Sequence, residues 1–134
     1  MKRVFGDSFY FIALLNARDF YHAQARQVTR ELEGVTVVTT RWVLAEVGNA
    51  LSGLGARTSF SMFLEGLTGQ RRVLALDGSD ALYEHGVRLF ASRVDKEWSL
   101  TDCISMEVMR IEGIDEVLIG DRHLAQAGFK LLLG

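Results

Sequence analysis

Four carboxylates in this sequence lie in apolar surroundings where a solvated acid is not expected: Asp7 in VFGDSFYF, Glu46 in VLAEVGNAL, Asp102 in SLTDCISM and Asp121 in LIGDRHL. Taken singly, each has an ordinary explanation. An Asp after a strand caps a helix or closes a turn, and a Glu in a helix faces water. Ser99, three residues before Asp102, reads as half of a capping-box relative, a role at the positive end of a helix that needs no chemistry. Gathered together, the same acids mean something else. Clustered carboxylates raise one another's pKa, so such a cluster is tolerable mainly when a cation neutralises it. An all-oxygen set selects hard ions, Mg²⁺ or Mn²⁺, which keep several waters and engage phosphate. The chemistry is then phosphodiester hydrolysis, in which the metal activates a water and stabilises charge on the phosphate.

The elements that carry the acids decide whether they can meet. Short β-rich runs at 3–5, 35–39, 72–76, 116–119 and 129–132 alternate with helical patterns. The helices are expected at 7–16, at 19–33 behind an Asp19 cap, at 41–54 behind Thr40 and at 57–68. Three more follow: from Ser79 to about 93, from Ser99 to 112, and at 122–127. This alternation predicts an α/β fold, a mostly parallel sheet of about five strands with helices on both faces, as one domain spanning 1–134. Ligands of such sheets bind beyond the carboxyl ends of the strands. Asp7 follows the first strand and Asp121 the fourth, Glu46 lies in the helix after the second, and Asp102 opens the helix before the fourth.

Composition narrows the partners. With 49% hydrophobic residues in 134, the chain can build a core without disulfides or structural metal. Fifteen basic residues against seventeen acidic ones exclude binding to nucleic acid by bulk charge, so any polyanion contact must be local. The single Cys103 sits in an apolar helical pattern and fits a reducing compartment as a small core residue. Lys2 and Arg3 before FYFIALL mimic a signal peptide, but Asp7 interrupts the run and no small-residue cleavage site follows. With no apolar stretch long enough to span a membrane, a cytoplasmic protein is expected.

The order and spacing of Asp7-Ser8 after a short strand, Glu46 in VLAEVGNAL, Asp102 in WSLTDCISMEVM and Asp121 in IGDRHLAQAGFKLL resemble the PIN domain over essentially the whole chain. The likeness is to VapC-like toxins of toxin–antitoxin pairs. It implies a PIN-like fold and an Mg²⁺- or Mn²⁺-dependent endoribonuclease, with Asp7, Glu46, Asp102 and Asp121 as metal-binding and catalytic acids. It further implies an RNA substrate, a homodimer and inhibition by a cognate antitoxin. Two departures stand out: Leu124 occupies a place where many relatives have an aromatic, and Gly6 leaves the backbone before Asp7 less restrained. No carboxylate follows Asp121.

Around the acids, Ser8, Asn49 and Thr101 could orient a carboxylate or a water, and Arg41 and Arg122 could meet phosphates. His22, His85 and His123 lack metal-ligand spacing, and only His123 lies beside an acid of the set. Phe60, Phe63, Leu64 and Leu67 share a helical face, with Met62 off it, which reads as core or as a dimer or antitoxin surface. Other enzyme classes fit less well. A haloacid-dehalogenase-like phosphatase needs a second Asp where Phe9 stands, and a receiver domain needs paired acids after the first strand, although Asp77 suits its later position. The remaining alternative is a non-catalytic PIN-like module that binds RNA or protein.

Overall fold

The computed structural model describes residues 2–53, 55–67, 72–76, 78–118 and 123–132. Its strands are β1 (Arg3–Gly6), β2 (Thr36–Thr40), β3 (Val73–Leu76), β4 (Glu116–Leu118) and β5 (Lys130–Leu131), joined in the order β3-β2-β1-β4-β5 with every pairing parallel. The helices among the described residues are α1 (Ser8–Leu15), α2 (His22–Glu31), α3 (Arg41–Ala50), α4 (Arg57–Leu67), α5 (Asp80–Ser92), α6 (Leu100–Glu112) and α7 (His123–Gln126). The α/β class and five-stranded parallel sheet expected from the sequence are those observed.

Consecutive strand residues show that both faces of the sheet are covered. Val4 and Phe5 of β1 point to opposite faces and are both fully buried, as are Val117 and Leu118 of β4. Phe5, Phe11, Ile104, Met109, Leu118 and Leu124 are the bulkiest fully buried side chains. Gly86 lets α5 close onto α6, because a Cβ there would run into Ile104. That contact seats the helix that carries Asp102.

Element ends follow their capping chemistry. Thr40, Ser79 and Ser99 each accept a backbone N–H with the side-chain oxygen, and α3, α5 and α6 begin directly after them. Asp19 does not cap α2. Its carboxylate accepts the N–H of Tyr21 at 2.9 Å and its carbonyl that of His22 at 3.0 Å, so it closes a turn and the helix starts at His22. The helix expected over 41–54 ends at Ala50. On α4, Phe60 and Phe63 pack partly against the core, with the Phe63 ring 5.6 Å from that of Phe11. Leu64, expected on the same face, is 38% exposed and Met62 is 66% exposed. Arg72 sits beside the edge strand β3 and donates to the Thr29 carbonyl at 2.9 Å, while Arg71 lies outside the described residues. No helix among the described residues is long and apolar enough to cross a membrane.

Candidate functional site

The chain lays down β1, β2 and β3 to one side and then crosses back to place β4 and β5 on the other. The strand order therefore reverses between β1 and β4, and the crevice beyond their carboxyl ends is where open parallel sheets take ligands. Gly6, the last residue of β1, pairs with Leu118, the last of β4, and the Asp7 N–H reaches the Leu118 carbonyl at 3.4 Å. Asp7 thus stands at the reversal, 3% exposed.

Packing sets the position of Asp7. A Cβ on Gly6 would lie 2.7 Å from Cγ1 of Val37 and 2.9 Å from the Phe11 ring. The glycine therefore serves close approach of α1 and β2 to the strand end, not the loose backbone inferred from sequence. Thr39 is fully buried, and its hydroxyl donates to the Gly6 carbonyl at 2.8 Å, fixing the same point from the side of β2. Thr39 was not singled out by its residue type; the pair of threonines that closes TVVTT directly before a helix was the available signal. Asp7 occupies the N-cap position of α1, yet its side chain makes no cap hydrogen bond.

Ser8, next in sequence, donates from its hydroxyl to Oε1 of Glu46 at 2.5 Å, across 38 residues of chain. This bond ties the start of α1 to the middle of α3 and gives the half-buried Glu46 a fixed orientation. Arg41, the first residue of α3, is exposed, and so is Asn49. The Asn49 side chain makes no hydrogen bond to a carboxylate among the described residues.

Asp102 is both cap and candidate ligand. Its N–H donates to the Ser99 hydroxyl at 3.0 Å and its Oδ2 accepts the Ser99 N–H at 3.2 Å, a full capping box. The residue is 8% exposed, and Oδ2 also lies 3.2 Å from Nδ1 of His123 on α7. Thr101 beside it is half-buried and Cys103 is buried. Burial first, and then the charges of Asp102 and Glu107, push the Cys103 thiol up from 9.0 to about 11, so it is inert at neutral pH. His22 and His85 have local partners, the Ala13 carbonyl at 2.8 Å and the Arg88 guanidinium at 3.1 Å.

Contacts join the elements that carry these residues: Asp7 to β4, Ser8 to Glu46, α3 to α6, and Asp102 to His123. Asp121, Arg122 and Asp77 lie outside the described residues. Among the described residues, no three carboxylate, imidazole or thiol side chains gather closely enough to enclose a metal ion. In donor chemistry, the two buried aspartates at the sheet edge fit a hard divalent cation, since both are oxygen ligands largely withdrawn from water.

No family model and no curated protein matches the sequence. Among solved structures, the Mycobacterium tuberculosis toxin VapC20, described as cleaving the sarcin-ricin loop, matches with a TM-score of 0.85 at 24% identity, over 94% of this chain and 95% of that one. FitAcB from Neisseria gonorrhoeae matches with a TM-score of 0.58 at 18% identity, over 96% of this chain and 95% of that one. At these identities the likeness is one of architecture, and both alignments run nearly end to end. The chain has a PIN-like fold, the architecture it shares with VapC20.

Proposed function

We propose that the protein is a metal-dependent endoribonuclease that hydrolyses RNA phosphodiester bonds, the toxin of a type II toxin–antitoxin pair. The observation that supports this best is the burial of the Asp7 and Asp102 carboxylates at the ligand-binding edge of a sheet shared with a toxin that cleaves the sarcin-ricin loop. In this reading Asp7, Glu46, Asp102 and Asp121 hold Mg²⁺ or Mn²⁺. The bound ion supplies a Lewis acid that activates water and offsets charge on the phosphate. Ser8 holds Oε1 of Glu46 and so fixes the direction in which Oε2 would meet the ion. Arg41 and Arg122 engage the flanking phosphates. Asn49 and Thr101 stand in the sequence around Glu46 and Asp102 and orient water in the pocket.

The same reading carries two partners. An antitoxin silences the enzyme by placing an Arg or Lys among the acids. A homodimer covers the exposed apolar stripe Tyr83, Val87 and Phe90, which recurs at helical spacing on α5.

The test is RNA cleavage by purified protein with Mg²⁺ or Mn²⁺, offering single-stranded RNA and a sarcin-ricin stem-loop in parallel. Cleavage that stops on addition of EDTA is the expected result. Undiminished cleavage in chelator would remove the metal from the mechanism, and metal binding without cleavage of any RNA would favour the non-catalytic module.

A further inference from the structure

Asp102 has a neighbour that its roles as cap and ligand do not require. The Nδ1 of His123 lies 3.2 Å from Oδ2, the same oxygen that accepts the Ser99 N–H. An ionised carboxylate only accepts hydrogen bonds, so the ring meets it with Nδ1 as the N–H. Two donors, one from the cap of α6 and one from α7 beyond β4, thus converge on one oxygen. The final torsion of an Asp side chain is broad and soft, and two donors on one oxygen narrow it. Among the described residues, both hydrogen bonds to this carboxylate fall on Oδ2 and none falls on Oδ1.

We propose that His123 is a positioning residue that holds the Asp102 carboxylate with Oδ1 directed at the cation, an inference that rests on the nuclease reading above. The contact is not what seats α7. Leu124 is fully buried, the Trp98 indole N–H donates to Oε1 of Gln126 at 3.1 Å, and the N–H groups of Ala127 and Phe129 return to the Leu124 carbonyl. Nor does it serve mainly as an ion pair for stability. The His123 side chain is 36% exposed, and charge pairs so open to water contribute little. What the contact does control is the direction of a ligand oxygen, the role that hydrogen-bond partners of metal-binding carboxylates commonly play.

Three substitutions test this: His123→Ala, His123→Asn, whose amide N–H falls near the position of Nδ1, and His123→Gln, whose amide reaches instead toward Nε2. Mn²⁺ affinity is measured by calorimetry on the free protein, with the metal-free melting temperature and the kcat and KM for RNA alongside. His123→Ala should bind Mn²⁺ about ten- to a hundredfold more weakly and lose kcat in step, with KM little changed. Its metal-free melting temperature should stay within about 2 °C of wild type. His123→Asn should recover most of the affinity, and His123→Gln should not.

If His123→Ala binds Mn²⁺ as tightly as wild type while Asp102→Asn does not, the positioning role is wrong and the nuclease reading stands. If wild type itself binds no Mn²⁺, both fall. A large loss of metal-free stability in His123→Ala and His123→Asn alike would make the histidine a structural pin and overturn the proposal.

Discussion

Asp7 and Asp102 both stand at helix starts, and they use the position differently. Asp102 closes a reciprocal box with Ser99, while Asp7, at the N-cap of α1, gives its helix no side-chain hydrogen bond. The N–H groups of Tyr10 and Phe11 turn instead to the Asp7 backbone carbonyl, at 3.1 and 3.4 Å. The Asp102 carboxylate is oriented by the Ser99 N–H and by His123, and the backbone that leads into Asp7 is held by the close packing around Gly6 and by the hydroxyl of Thr39. A capping role therefore does not compete with a ligand role. A box that uses one carboxylate oxygen still leaves the other, and orients it.

The largest effect should erase the difference between the two. Asp7→Asn and Asp102→Asn should each lower RNA cleavage by about a hundredfold or more while remaining folded, because each removes a charge that a cation requires. Wild-type cleavage by Asp102→Asn, combined with a lower melting temperature, would reduce Asp102 to a cap and break the pairing with Asp7.

A second substitution isolates the packing that positions Asp7. Gly6→Ala places a methyl group against Val37 and Phe11, neither of which can withdraw easily from the core, and should cost about 1–3 kcal/mol in urea unfolding. No loss would mean that the strand end is looser than the contacts indicate. Smaller still is the effect of cutting the box itself. Asp102→Ala should lose about 1 kcal/mol in urea unfolding with its half of the capping box. No loss would mean that Ser99 caps α6 unaided.

Much of this was legible in the residues. Thr40, Ser79 and Ser99 announce their helices because a hydroxyl before an amphipathic run has one obvious use, and the strand runs were placed to within a residue or two. The Ser99–Asp102 box was readable because it is local. The further bond of the Asp102 carboxylate, to His123, was not, because it joins residues 21 apart that only the path through β4 brings together. The Ser8–Glu46 bond was foreseeable only as an option for the same reason. Asp19 misled because its type suits a turn as well as a cap, and the chain used the turn. Gly6 misled because sequence suggests backbone freedom at any glycine, while the reason here is the bulk of Val37 and Phe11, which arrive from other elements.

The smallest effect reads the Asp102 charge directly. Cys103 follows Asp102, and its thiol titrates at about 11 because burial disfavours the thiolate first and the Asp102 and Glu107 carboxylates disfavour it further. In metal-free protein, Asp102→Asn should therefore lower the Cys103 pKa while leaving it above 9.0, since burial remains. Asp7→Asn, whose charge is not among the causes, should leave it in place. The stability consequence has a definite sign. A thiol whose folded pKa is raised contributes stability that is fully present below pH 9.0 and is lost as pH climbs through about 11. Asp102→Asn should end that loss at a lower pH. Thiolate absorbance, read against a Cys103→Ala blank to subtract tyrosine ionisation, measures the shift. An equal shift in both variants would mean that the thiol senses a change common to the two substitutions and not the adjacent charge, and an unmoved pKa in Asp102→Asn would leave burial as the whole cause.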